Sequence, residues 1–171
     1  FGGMSQGGYS SMRVAIRWPQ RVRGLVLLST MGTLRPPEGL KMFRDMAATL
    51  RAHGFVEPMI EGLAQTLLGE PRFWEPWVSH WRAIDPLAVA AGVDQLVERD
   101  DIAEALANVH CPTFVAHGTA DHGTEIDHAK ALVDVLKAES LITLEGGAHA
   151  AAYTHADQLV GPLKAWLDKS A

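Results

Sequence analysis

Two kinds of hydrophobic pattern alternate along the chain. Short, nearly continuous apolar runs occur at residues 22–29, 113–117 and 141–144, and such runs are typical of parallel strands buried on both faces. Apolar residues spaced three and four apart predict amphipathic helices between and after these runs. The predicted helices cover 8–18, 40–53, 58–68, 72–83, 86–97, 101–107, 125–137 and 153–168. The alternation indicates an α/β fold, a parallel sheet flanked by helices.

The middle of the chain has helical patterns without strands. A Pro- and Gly-rich loop at residues 31–39 precedes this stretch. The sequence therefore predicts a body formed by residues 1–33 and 100–171, with an inserted helical cap at residues 34–99. Trp74, Trp77 and Trp81 share one face of the predicted 72–83 helix. We expect them to pack the cap and, with Met31, to be candidates for lining an apolar substrate pocket.

Composition excludes several classes of function. The chain has 171 residues and a formal net charge of −5, which argues against nucleic acid or an anionic membrane as the main partner. A single cysteine, Cys111, excludes an internal disulfide and a cysteine-rich metal site. No apolar run approaches the roughly 20 residues of a membrane span. These features favour a cytoplasmic protein that acts on a small molecule.

The most informative motif lies at the start of the chain, where Ser5 is framed by Gly3 and Gly7. G-x-S-x-G holds a serine on a tight turn between a strand and a helix, with its Oγ exposed. We expect small residues at positions 3 and 7 because the turn crowds its neighbours. Only residues 1–3 remain to form the preceding strand, so we expect the chain to be the C-terminal part of a longer fold.

Two further polar residues follow predicted strands. Asp121 comes after the 113–117 run, and His149 comes after the 141–144 run. Open α/β sheets place their functional sites at the carboxyl ends of strands. A serine nucleophile needs an imidazole to take its proton, and the imidazole needs an acceptor to orient it. Ser5, Asp121 and His149 supply these three groups, so they are candidates for a catalytic triad.

Other acids and bases are less favoured for these roles. Asp127 and His155 each fall inside a predicted helix, away from the strand ends. Asp85 or Asp94 could act only if the cap folded deeply inward. Asp85 precedes Pro86 and is instead expected to cap a helix.

We expect no metal and no organic cofactor. His117, His122 and His128 are close in sequence, but His117 lies in a predicted buried strand. No cysteine or carboxylate completes a tetrahedral set with these histidines. Cys111, beside Pro112, is expected to be a small buried residue and not a nucleophile.

Three segments resemble the α/β-hydrolase superfamily, in its branch of serine esterases, enol-lactonases, C–C hydrolases and cofactor-free haloperoxidases. They are GMSQGGYSSMRVAIRWPQRVRGLVLLST, CPTFVAHGTAD and EGGAHAAAYTHADQLVGPLKAWL. The resemblance implies that Ser5 is the nucleophile, Asp121 the orienting acid and His149 the general base. It also implies that the backbone N–H of Gln6 donates to the oxyanion.

The expected reaction is hydrolysis of a small apolar ester or lactone through an acyl-enzyme, without a cofactor. Two alternatives stay open. One is a C–C hydrolase or perhydrolase that uses the same residues, and the other is a non-catalytic or partner-dependent fragment.

The resemblance also implies that part of the fold lies upstream of the tight turn that holds Ser5, which is called the elbow below. The second oxyanion donor and the strands beside the elbow strand would come from that part. Residues 22–29 would then form an exposed apolar edge, and open edges tend to pair with another chain. We therefore expect a companion N-terminal segment or a homo-oligomer joined through that edge.

Overall fold

The computed structural model describes residues 1–170. Four strands form one parallel sheet in the order β1-β2-β3-β4. Their bounds are β1 Gly2–Met4, β2 Leu25–Leu28, β3 Thr113–Gly118 and β4 Leu141–Leu144. Each strand is followed by helix before the next strand, as parallel pairing requires.

Nine α-helices and two 3₁₀ turns complete the described residues. The helices are α1 Gln6–Arg17, α2 Pro37–His53, α3 Glu57–Leu68, α4 Trp77–Ala83, α5 Pro86–Val97, α6 Ala103–Leu106, α7 Ile126–Leu136, α8 Ala151–Thr154 and α9 Ala156–Ser170. The 3₁₀ turns are Pro19–Arg21 and Pro71–Phe73. None of the described helices is both long and apolar enough to span a membrane.

The chain divides into two compact units. One consists of Phe1–Thr33 and the chain from Asp101 onward, and it contains the sheet. The other, Leu34–Asp100, contains α2 to α5 and no strand.

The sheet-containing unit has an apolar core on each face of its sheet. Successive side chains of a strand point to opposite faces. Val115 accordingly packs in a core with α1, α6 and α7, whereas Phe114 and Ala116 pack in a second core with α8 and α9. Strand β3 is therefore buried on both faces, whereas in β4 only Leu144 is buried and Thr143 is exposed. The predicted parallel α/β sheet is confirmed, and the expectation that the 141–144 run is buried on both faces is wrong.

The helical unit is organised around the pairing of α2 with α5. Ala47 and Leu50 of α2 pack against Ala90 and Val93 of α5. The Asp85 side chain accepts a hydrogen bond from the backbone N–H of Leu87 at 2.9 Å. This bond confirms the predicted helix start at Asp85. It satisfies the Leu87 N–H, which has no partner within the helix because it lies in the first turn.

Two of the predicted helices are interrupted. The helix predicted at 72–83 is wrong in its first half, because α4 begins only at Trp77. Pro76 has no N–H to donate and disfavours helical backbone at Glu75. The helix predicted at 153–168 is divided into α8 and α9 at His155, where the backbone departs from helical geometry (φ −128°, ψ 39°).

The predicted exposed edge at residues 22–29 is also wrong. Leu25–Leu28 is hydrogen-bonded on both sides, to β1 and to β3. Gly2–Met4 is long enough to form a strand, which Phe1 and Ser5 extend. The Phe1 carbonyl accepts from Val26 N at 3.0 Å, and Ser5 N donates to the Leu28 carbonyl at 2.9 Å. In the described part of the chain, β1 and not β2 is the outer strand at this side of the sheet. A companion N-terminal segment or a homo-oligomer stays a prediction.

Candidate active site

Ser5 lies on the turn between β1 and α1 in a strained backbone conformation. Its φ is 53° and its ψ is −118°, and a positive φ is uncommon for a residue other than glycine. Hydrogen bonds hold this conformation from both sides. Ser5 N donates to the Leu28 carbonyl at 2.9 Å, and Thr30 Oγ1 donates to the Ser5 carbonyl at 2.6 Å. The elbow is therefore fixed by the neighbouring strand β2 and the loop after it.

The glycines around Ser5 differ in why they are small. A Cβ on Gly3 would lie 2.4 Å from the carbonyl carbon of Gly7, and a Cβ on Gly8 would lie 2.7 Å from Cγ2 of Thr30. A Cβ on Gly7 would meet nothing within 4 Å. The expectation that crowding requires a small residue is confirmed at position 3 and wrong at position 7, because Gly7 faces outward from the first turn of α1.

Asp121 and His149 are in direct contact on adjacent loops. His149 Nδ1 lies 2.8 Å from Asp121 Oδ2. The other carboxylate oxygen, Oδ1, accepts from the backbone N–H groups of Gly123 and Thr124, both at 2.8 Å. Because the acceptor beside Nδ1 is a carboxylate, the proton of the neutral imidazole lies on Nδ1. His149 Nε2 is then the ring nitrogen that can accept a proton.

Backbone contacts tie these two loops together. Thr119 N donates to the Leu144 carbonyl at 3.0 Å, and Ala120 N donates to the Gly147 carbonyl at 2.9 Å. Gly118 makes the close approach possible, since a Cβ there would lie 2.1 Å from the Gly147 oxygen. The distance between Asp121 and His149 is therefore set by the pairing of β3 with β4.

The environment of Asp121 keeps its carboxylate ionised although its side chain is fully buried. Burial raises the pKa of Asp121. Hydrogen bonds from the His117 and His149 imidazoles, the charge of His149 when it is protonated, and the Thr124 N–H lower the pKa more strongly. The net pKa of Asp121 is therefore well below its ordinary value, as is usual for a carboxylate held by several donors.

This lowered pKa predicts how acid affects stability. The stabilisation from Asp121 is complete above the ordinary aspartate pKa of about 4 and is lost as pH falls toward the lower folded-state pKa. We expect the difference in unfolding free energy between the wild type and Asp121→Asn to shrink from about pH 4 to about pH 2. Urea unfolding at a series of pH values measures it. A difference that stays constant over this range would contradict the lowered pKa.

His117 also contacts Asp121, which sequence reasoning missed. Its Nε2 lies 2.7 Å from the Thr124 carbonyl oxygen and 3.2 Å from Asp121 Oδ2. The sequence placed His117 in a buried strand, which is confirmed, but weighed it only as a metal ligand. One signal was available. A histidine in an otherwise uncharged buried strand needs a polar partner, and Asp121 follows four residues later.

The competing acids and bases have other partners. Asp127 is exposed and pairs with Lys130 at 2.7 Å, and Asp94 pairs with Arg51. Asp85 caps α5 as described above. His155 Nδ1 lies 2.8 Å from Thr154 Oγ1. The structure therefore brings Asp121 and His149 together and gives none of these alternatives a place in that pair.

The remaining histidines and the cysteine show no metal-binding arrangement. His122 is exposed, and His128 Nδ1 lies 3.3 Å from Thr33 Oγ1. No group of three or more histidine, cysteine, aspartate or glutamate side chains within residues 1–170 is placed to hold a metal ion. Burial raises the pKa of the half-buried Cys111 thiol, which reduces its thiolate fraction and its nucleophilicity.

The predicted pocket residues lie in both units. Met31 is buried after β2 in the sheet-containing unit. In the helical unit, Trp74 Nε1 donates to the Gly69 carbonyl at 3.0 Å. Trp77 and Trp81 meet edge to face, with ring centroids 5.9 Å apart. Trp74 and Trp81 also pack on the apolar cluster of α3 and α4. Packing is therefore observed, and their role in binding a substrate stays a prediction.

Comparison with known proteins gives one family and a consistent set of structural neighbours. Residues 1–153 match the family described as serine aminopeptidase, S33. A thermophilic esterase from Thermogutta terrifontis superposes with a TM-score of 0.84 at 24% identity, covering 99% of this chain and 64% of that one. The enol-lactonase from Burkholderia xenovorans LB400 gives a TM-score of 0.79 at 18% identity, covering 98% and 65%. These likenesses concern the fold, and the chain spans less than two thirds of each neighbour's length.

Two further matches are closer in sequence. A hydrolase from Pseudomonas aeruginosa PA01 is 25% identical with a TM-score of 0.80, covering 98% of this chain and 63% of that one. A stretch of the polyketide synthase ThaQ from Burkholderia thailandensis is 29% identical over an alignment of 183 residues, and the match covers 98% of this chain and 8% of that protein.

Proposed function

Because the chain belongs to the serine aminopeptidase, S33, family of α/β hydrolases, we propose that it is a serine hydrolase of carboxylic esters or lactones of small apolar molecules. One observation carries the proposal. A serine on a strained elbow and a histidine held by a buried carboxylate both follow strands of one parallel sheet. The carboxyl ends of parallel strands meet at one edge of the sheet, which is where such folds bind ligands.

In the proposed reaction, Ser5 Oγ attacks the carbonyl carbon of the substrate while His149 Nε2 takes the hydroxyl proton. The tetrahedral intermediate collapses when the C–O bond to the leaving group breaks and His149 returns the proton to that oxygen. Water then repeats the sequence on the acyl-enzyme, which releases the acid and regenerates Ser5. Asp121 keeps the imidazole in the tautomer that accepts a proton and stabilises the imidazolium that forms.

Gln6 supplies one donor for the negative charge on the carbonyl oxygen. It is the first residue of α1, so its backbone N–H lies at the positive end of the helix dipole. A donor already aimed at the developing oxyanion stabilises the transition state more than the ground state. This role explains why the nucleophile directly precedes a helix.

Esters and lactones are preferred over other substrates for two reasons. Ser5 forms an acyl-enzyme with a carbonyl substrate, and no cofactor is needed for that chemistry. The structural neighbours also include an esterase and an enol-lactonase. Cleavage of a C–C bond or formation of a peracid by the same residues is the alternative that a substrate survey would detect.

The first test is covalent labelling of Ser5. The purified chain, incubated with a fluorophosphonate and analysed by intact mass, should gain one adduct that is absent in Ser5→Ala. Ser10→Ala is the matched control, because Ser10 is an exposed serine of α1 in the same part of the chain. It should label like the wild type.

Two results would contradict the proposal. Folded wild-type protein that gains no adduct would show that the serine is not activated, and it would favour the non-catalytic alternative. An adduct that persists in Ser5→Ala would place the reactive group elsewhere.

A further inference from the structure

His117 is a buried polar residue whose polar contacts, within the described residues, are with Asp121 and its turn. Its side chain is fully buried on β3, a strand whose six residues are all buried. The polar atoms near its ring are the Thr124 carbonyl oxygen, 2.7 Å from Nε2, and Asp121 Oδ2, 3.2 Å from Nε2. Nδ1 is buried and has no hydrogen-bond partner among residues 1–170.

These contacts determine which nitrogen carries the proton. Both atoms beside Nε2 are acceptors, a carbonyl and a carboxylate. An unprotonated Nε2 would place its lone pair against two oxygens, so the proton lies on Nε2. Nδ1 is then an acceptor, and no residue among 1–170 donates to it. The hydrogen bonds that His117 makes within the described chain are therefore all made through Nε2.

The backbone of Thr124 links His117 to the carboxylate of Asp121 through two groups, its N–H and its carbonyl. Thr124 N donates to Asp121 Oδ1 at 2.8 Å, and the Thr124 carbonyl accepts from His117. Thr124, which donates to Oδ1, is thus also tied through its carbonyl group to His117 on β3. Oδ2, the oxygen that contacts His149, lies next to the same imidazole proton.

We propose that His117 is a positioning residue for the reaction proposed above. Its Nε2–H fixes the turn from Asp121 to Thr124 and the direction of Oδ2, and this keeps the His149 imidazole aligned with Ser5. His117 does not touch the reacting atoms. The inference rests on the proposed function, because a positioning role has meaning only if Ser5 and His149 react.

The test compares two substitutions of similar length, His117→Met and His117→Gln. Glutamine carries its amide nitrogen the same number of bonds from Cβ as imidazole Nε2, so it keeps a donor at this position. Methionine fills similar space with no donor. The two readouts are the rate constant of fluorophosphonate labelling and the hydrolysis of p-nitrophenyl butyrate.

We expect His117→Met to lower the labelling rate constant and kcat by about 10- to 100-fold with KM within about twofold, because misorientation slows the chemical step more than binding. His117→Gln should stay within about threefold of the wild type. Val115→Ala is the control for lost stability. Val115 is buried on the same strand and packs in the core on the face of α1 and α7, so this variant should lose stability without loss of labelling.

Each of the other possible results would overturn either the positioning role of His117 or the proposed function. A His117→Met variant that labels like the wild type overturns the positioning role and leaves the proposed function intact. Folded Met and Gln variants that are equally slow, or a Val115→Ala variant as slow as His117→Met, also overturn the positioning role. Wild-type protein that does not label overturns the proposed function, and the positioning role with it.

A second measurement uses the unmodified sequence, in case His117→Met does not fold. Long-range ¹H–¹⁵N spectra of ¹⁵N-labelled wild type distinguish the two imidazole tautomers. His117 is expected to carry its proton on Nε2 with Nδ1 bare. A proton on Nδ1 would remove the donor on which the proposal depends and would overturn it.

Discussion

Asp121→Asn is expected to lower kcat by about 10⁴-fold while the protein remains folded. The Oδ1 position accepts from two N–H groups at 2.8 Å, those of Gly123 and Thr124. The Oδ2 position has one more distant donor besides His149, the His117 Nε2 at 3.2 Å, so we expect an asparagine to place its oxygen at Oδ1. Its NH₂ group then occupies the Oδ2 position and points at His149 Nδ1, which lies 2.8 Å away. The imidazole can accept that bond only if its proton moves to Nε2, and it can then no longer take the proton of Ser5.

Steady-state hydrolysis of p-nitrophenyl butyrate measures this effect, with circular dichroism as the check on folding. Asp127→Asn is the matched control, because Asp127 is exposed and pairs with Lys130 outside the Asp121–His149 pair. It should retain wild-type turnover. An Asp121→Asn variant that is folded and loses less than about tenfold would show that Asp121 does not set the tautomer of the general base.

Gly3→Ala is expected to destabilise the fold by about 2–4 kcal/mol. The new methyl group would lie 2.4 Å from the carbonyl carbon of Gly7 and 2.7 Å from its oxygen. Both are backbone atoms of the first turn of α1, so no side-chain rotation relieves the overlap. The elbow must open, and Ser5 would lose the backbone conformation that β1 and α1 impose on it.

Gly7→Ala is the control, because the second glycine of the same motif has open space around its Cβ position. It lies in the first turn of α1, where alanine stabilises a helix by up to about 1 kcal/mol relative to glycine. Urea unfolding of the two variants should therefore give changes of opposite sign. Equal destabilisation by both would show that the motif needs glycine for backbone freedom and not for close packing.

Much of the sheet could be predicted because the information that makes a strand is local. In a small α/β unit, a short apolar run that packs against helices on both of its faces is stable as a strand of a parallel sheet. The runs at 113–117 and 141–144 accordingly form β3 and β4 with bounds that differ by at most one residue. The helix start at Asp85 followed the same logic, since a cap and its proline lie next to each other in the chain.

The errors arose where a pattern competed with a single residue or with a partner distant in the chain. The helical spacing of the tryptophans predicted a helix that runs through position 76. Pro76 has no N–H to donate, however, and α4 begins only after it. The supposed edge at 22–29 pairs with the three-residue strand Gly2–Met4, which is too short to carry a hydrophobic pattern of its own. The motif also gave the same expectation for Gly3 and Gly7, although only the Cβ position of Gly3 is close to another backbone segment.

For this protein, local sequence was sufficient to identify the elbow at Ser5, the strand ends before Asp121 and His149, and a fold of parallel strands. These features depend on residues close together in the chain. The contact between His149 Nδ1 and Asp121 Oδ2 joins residues 28 positions apart, and it depends on the register in which β3 and β4 pair. The contacts of His117 with Asp121 Oδ2 and the Thr124 carbonyl likewise depend on the fold, because folding determines which acceptors lie beside a donor.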